Sequence, residues 1–145
     1  MVVEIGKIAQ TLLDTPVGYV EETLSSIIRK PVYLNVVEQN SLHDTRYVRK
    51  VIIGHGQFPI LRAIVKFDSE NLPREVMTGL LQKKESIGNI LRKNNITTER
   101  HVVALNFDST RKTVTRDYHI LCRDSLWFEV SEEIRLDFLS ACQNS

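Results

Sequence analysis

Apolar positions open the chain with a helical period: Ile5, Ile8, Ala9, Leu12 and Leu13 form one stripe, and Val17, Val20, Leu24, Ile27 and Ile28 a second. Two short helices are therefore expected before Pro31, whose ring interrupts helical propensity. The period then changes. Residues 32–39 are rich in β-branched and aromatic side chains and predict the first strand. A polar loop containing His43 and Asp44 leads to a strand over 47–53, a turn at Gly54-His55-Gly56 and a strand over 60–67. Pro73 suits the first turn of a helix carrying Val76, Met77, Leu80 and Leu81, and Ser86 is placed to cap another carrying Ile87, Ile90 and Leu91. That helical stretch ends near Asn94-Asn95. Three more strands are expected over 102–107, 113–122 and 126–134, with turns at Asp108-Ser109-Thr110 and Arg123-Asp124-Ser125, and a short helix follows.

Helices, strands, helices, strands is the order of an α+β domain with a mainly antiparallel sheet and helices packed over it. The pattern shows no βαβ rhythm, no sequence repeat and no linker-like tract, so residues 1–145 are expected to form one domain. A chain of that length supports one core. Lys and Arg number 19 against 18 for Asp and Glu, a balance that leaves no broad electrostatic footprint for nucleic acid or an anionic membrane. Any anion site must be local. Cys122 and Cys142 have neither metal-ligand spacing nor the density of a disulfide scaffold. Glu4 and Lys7 interrupt the first apolar stretch, so no signal peptide or membrane span is expected there and a cytoplasmic location is the simpler expectation.

Charge on apolar strand faces supplies the candidate chemistry. In the last expected strand, Phe128, Val130, Glu132 and Ile134 share one face, while Trp127, Glu129, Ser131 and Glu133 share the other. A carboxylate held among apolar side chains calls for a raised pKa or a cationic partner. Alternatively, the strand frays at Ser131 and Glu132 starts a solvated helix. Arg49 falls on the face of Tyr47, Val51 and Ile53, where its planar fork would suit a ligand carboxylate, or its stem covers the sheet and its head reaches solvent. The same two readings apply to Arg116, with Val114, Tyr118 and Ile120, and to Arg62, with Ile60 and Ile64. His43, His55, His101 and His119 are scattered without metal-ligand spacing, and no metal site is expected. Gly54-His55-Gly56 precedes a strand rather than a helix, which argues against a phosphate-binding loop. Cys122 beside His119 is read as packing rather than as a nucleophile.

Taken in order, a set of short segments resembles the chorismate lyase family, the chorismate pyruvate-lyases or 4-hydroxybenzoate synthases, in its shorter archaeal and bacterial branch. The segments are Leu12-Leu13, Gly18-Tyr19-Val20 with Leu24, Pro31-Val32, the run from Val36 to Gln39, the run from Val48 to Ile53, Leu72-Pro73, Ser86-Ile87-Gly88 with Leu91, Thr98-Glu99-Arg100, Arg116-Asp117-Tyr118 and the run from Val130 to Ile134. The resemblance implies a six-stranded antiparallel sheet with a ligand pocket closed over by helical segments. It implies that Arg49 binds a substrate carboxylate and that Glu132 sits by the hydroxyl-bearing end of the ring. Val20 would line the pocket, and Ile87 and Gly88 would supply backbone contacts. Arg116 and Arg62 join the substrate-binding candidates.

The implied reaction removes the enolpyruvyl ether of chorismate as pyruvate and leaves 4-hydroxybenzoate, with no cofactor. Arg49 would anchor the dianion and Glu132 would orient it or accept the proton. The chain departs from the family pattern at Tyr19, Glu21, Ser86, the 61–64 segment and Ile134-Arg135, which bears on the substrate more than on the fold. The alternative expectation is a non-catalytic binding domain for an aromatic or anionic small molecule, because the same fold serves as the effector-binding domain of some bacterial regulators. No helix-turn-helix is evident ahead of the first strands. Oligomeric state is not legible.

Overall fold

Two three-stranded meanders lie edge to edge in one antiparallel sheet. β1 (Tyr33–His43), β2 (Arg46–His55) and β3 (Phe58–Asp68) form the first, and β4 (Glu99–Asp108), β5 (Thr113–Cys122) and β6 (Ser125–Arg135) the second. β3 pairs with β6, giving the order β1-β2-β3-β6-β5-β4. The computed structural model describes residues 2–144, the side chains at 2–5, 8 and 9 excepted.

Each meander follows a pair of short helices. α1 (Val2–Asp14) and α2 (Val20–Ile28) precede the first, α3 (Arg74–Leu81) and α4 (Ile87–Lys93) the second, and α5 (Leu136–Gln143) follows β6. The chain therefore repeats helix, helix, strand, strand, strand, although its sequence shows no repeat. Periodicity and turn positions specify such elements without requiring the same residues in both halves.

Expected and observed elements differ mainly at their ends. β1 runs on through His43, so the polar loop shrinks to a turn in which Asp44 takes φ 51°, a left-handed conformation that Asp tolerates better than most residues. β4 begins at Glu99 rather than at 102, which brings Arg100 into the sheet opposite Ile120. Gly54 and His55 belong to β2, and Pro73 stands immediately before α3. Ser86 caps α4 as expected, its Oγ accepting the Asn89 N–H at 3.0 Å. In the α1 stripe, Ile5, Ile8 and Ala9 lie outside the described side chains, whereas Leu12 is buried.

The helices cover one face of the sheet. Leu61, Val65 and Phe67 of β3, Val114, Tyr118 and Ile120 of β5, and Phe128, Val130 and Ile134 of β6 are buried there beneath Leu24, Ile28, Val76, Leu80, Ile90 and Leu91. Period-two geometry in β6 thus holds through Glu132, and the strand does not fray at Ser131. Trp127 is the exception. A register shift matches Ile120 to Phe128 and Leu121 to Leu126, leaving Trp127 unmatched in β5, and its ring joins the core instead of the outer face. β4, at the edge, keeps Val102, Val103, Leu105 and Phe107 exposed. None of the described helices is long and apolar enough to cross a membrane.

Candidate ligand-binding site

A cavity of about 90 Å³, room for several water molecules, lies between the inner face of the sheet and the two helix–helix connections. Aliphatic side chains of the strands, Val51, Val65 and Val130 among them, form its floor. Its roof comes from Val17, Gly18 and Val20 on one side and Ser86, Ile87 and Gly88 on the other. The two halves of the roof meet at glycines. A Cβ on Gly88 would stand 2.3 Å from Gly18 Cα and N, and one on Gly18 would stand 2.9 Å from the Gly88 carbonyl oxygen. Gly18 also has φ +100°, a conformation that disfavours any side chain. Val20, Ile87 and Gly88, which the family resemblance puts beside the ligand, are therefore in the wall. Tyr19 and Glu21 are not; the Tyr19 ring lies 4.6 Å from the Arg92 guanidinium.

Glu132 reaches the cavity from the β6 side, fully engaged. Its Oε1 accepts from Arg116 Nε at 2.7 Å and its Oε2 from the Tyr118 hydroxyl at 2.9 Å, all three residues being buried. Burial, reinforced by the Glu132 charge, pushes the Tyr118 phenol far above its usual range, so it remains a donor. Arg116 spends Nη1 on the Leu13 carbonyl at 3.1 Å. Arg100 completes this end. It lines the cavity and donates to the Leu13 and Thr15 carbonyls at 3.0 and 2.8 Å. Desolvation, and then the Arg116 charge, lower the Arg100 pKa. Arg116 was expected to meet substrate; instead its charge is answered inside the protein and it stands outside the cavity wall.

The opposite end holds Arg49, with no exposed surface. Nη2 donates to the Glu85 carbonyl in the α3–α4 connection, while Nε and Nη1 have no partner among the described residues. Burial alone pulls its pKa down to about 10, and no carboxylate offsets the effect. Val65, directly opposite it in β3, and Val51, two residues along β2, both line the cavity. Arg49 thus stands one residue behind the wall. Beside it Gln39, its partner in β1, is also buried.

Arg62 takes no part. Leu61, Val65 and Phe67 turn inward, so Arg62 and Ile64 fall on the outer face and both are exposed. Ile64 was a misleading guide to the inside because it is itself 42% exposed. The sequence reading missed Arg100, Tyr118 and Gln39 as site residues. Thr98-Glu99-Arg100 was legible as a motif, but starting β4 three residues late hid the direction of Arg100. Gln39 gave no signal beyond its place opposite Arg49. Among the described residues no group of three His, Cys, Asp or Glu is placed to hold a metal.

No family model matches the chain. A protein of Methanocaldococcus jannaschii named "Putative lyase MJ0807" is 25% identical over a 132-residue alignment taking in 79% of this chain and 71% of that protein. Among solved structures, PhnF from Mycobacterium smegmatis superposes with a TM-score of 0.58 at 11% identity, over 81% of this chain. The fold is shared. The chain spans 63% of the length of PhnF. A GntR-family transcriptional regulator from Bacillus cereus gives a TM-score of 0.48 at 14% identity, over 72% of this chain and 91% of its own.

Proposed function

We propose that the chain binds a small anion with an apolar body, its charged group on Arg49 and its body in the cavity roofed by Gly18 and Gly88. The observation that carries this reading is the buried Arg49 guanidinium with two nitrogens unpartnered. An unpaired buried charge is costly, and a carboxylate offered to the free edge of the guanidinium forms a charge-assisted pair away from water. Val20, Ile87 and Gly88 would contact the ligand body, and Arg100 and Glu132 would meet its far end. Isothermal titration with 4-hydroxybenzoate tests the reading: saturable binding is expected in the wild type and its loss in Arg49→Ala. Equal affinity in both proteins would remove Arg49 from the site.

A second reading is a lyase acting on chorismate, favoured by the name of the archaeal relative and by the presence of Glu132 in the cavity wall. It requires Glu132 to orient the substrate or take up a proton, yet both of its oxygens already accept hydrogen bonds. That engagement favours binding over turnover. Incubation with chorismate, followed by chromatography for 4-hydroxybenzoate and pyruvate, separates the two. Equal release of both products above the spontaneous background supports the lyase; saturable binding with no product above background supports the binding domain.

A further inference from the structure

The last turn of α3 and the connection that follows it are held to the sheet by two polar side chains that face each other across β1 and β2. Gln39 and Arg49 are directly opposed in the antiparallel register, and opposed side chains begin about 4.5–5.5 Å apart. Gln39 is 8% exposed, in a strand whose other residues are half-buried or exposed. Its Nε2 donates to the Leu80 carbonyl at 2.9 Å. That bond fixes the amide orientation, because a carbonyl accepts only from the nitrogen. Oε1 has no partner among the described residues. Arg49, bonded five residues further on at Glu85 in the α3–α4 connection, leaves Nε and Nη1 unmet. One buried acceptor and two buried donor nitrogens are thus left on β1 and β2 where the end of α3 and its connection to α4 meet the sheet.

We propose that Gln39 and Arg49 together select a carboxylate bearing a hydroxyl on the adjacent carbon. This rests on the anion-binding reading above and narrows its ligand class. The carboxylate oxygens accept from Nε and Nη1, and the hydroxyl donates to Gln39 Oε1. A plain carboxylate leaves that oxygen unmet, and a buried unmet acceptor is unfavourable. An ammonium in place of the hydroxyl would answer Oε1 but set a second cation against Arg49. The 2-hydroxy acid satisfies all three atoms. It arrives from the cavity wall at Val51, Val65 and Ser86.

Isothermal titration of the full chain with mandelate and with phenylacetate tests this, since the two acids share ring and carboxylate and differ in the hydroxyl. The wild type is expected to bind mandelate about tenfold more tightly, a difference of about 1.4 kcal/mol. Gln39→Leu is expected to bring the two within about twofold while leaving phenylacetate unchanged, with folding checked by circular dichroism. Should that variant fail to fold, Gln39→Asn, one methylene short of Oε1's position, is expected to lose most of the preference. Equal wild-type affinities, or a preference that survives in the variant, overturn the proposal. Binding of 4-hydroxybenzoate but of neither probe acid overturns the 2-hydroxy selectivity and leaves the anion-binding reading standing. Binding of none of the three overturns both.

Discussion

Arg49 is expensive in the absence of a counter-ion. A guanidinium pKa drawn down to about 10 by burial is a cost on the order of 3 kcal/mol carried by the fold at neutral pH. Arg49→Met, of similar length and without charge, is therefore expected to raise the thermal midpoint of the ligand-free protein while weakening anion binding at least about 100-fold, because it removes a desolvated charge that has no counter-ion. A lowered midpoint would mean that the Glu85 contact matters more than the desolvation. Glu132→Gln should behave in the opposite way. It leaves Arg116 buried without its carboxylate and is expected to destabilise the protein by about 3–5 kcal/mol in urea unfolding. Alternation along a strand put Arg49 and Glu132 on apolar faces and left a solvent-facing alternative open for each, and their burial decides for the inward one. Their different circumstances were not legible, because a partner on another strand has no trace in the spacing of residues along one strand.

Between the elements, a close backbone approach is the Gly18–Gly88 contact that joins the two helix–helix connections. Gly88→Ala places a Cβ against backbone, which cannot rotate away, so the connections must separate. The expected outcome is faster amide hydrogen exchange over 17–20 and 86–89 and a lower midpoint, by an amount corresponding to about 1–3 kcal/mol. Unchanged exchange there would mean that the roof yields without loss. The strands and helices were legible from apolar period and residue type, mostly because each has one face to bury and a core to bury it in; β4, with no buried residue, was legible from its β-branched and apolar run alone. Their ends were not: β1 and β4 extend past their apolar runs because ladder hydrogen bonds with β2 and β5 continue where the side chains are polar. The Gly18–Gly88 meeting was equally hidden, as residues 70 apart touch only after both connections have crossed the sheet.

At the scale of the whole molecule, the two halves hold each other by reciprocal bonds. Arg49 in the middle strand of the first half reaches the helix–helix connection of the second at Glu85, and Arg116 in the middle strand of the second reaches back to Leu13 at the end of α1. The seam between the halves is apolar, with Val65 facing Val130 across β3 and β6, both buried. The same position of the pattern is filled differently on its two sides. Arg116 lies opposite Glu132 on the inner strand of its half, while Arg49 lies opposite Val65. The chain thus carries two sockets of one design and one plug. Writing the second plug into the chain with Val65→Glu should raise the thermal midpoint relative to Val65→Gln and abolish anion uptake at the same time. If the glutamate variant still takes up anions with wild-type affinity, Arg49 is not the socket a guest fills. With Arg49 as the socket, a ligand in this protein would be, in effect, a removable side chain: the counterpart of Glu132 supplied from solution, so that one half of the molecule is closed by its own sequence and the other would be closed only by what it meets.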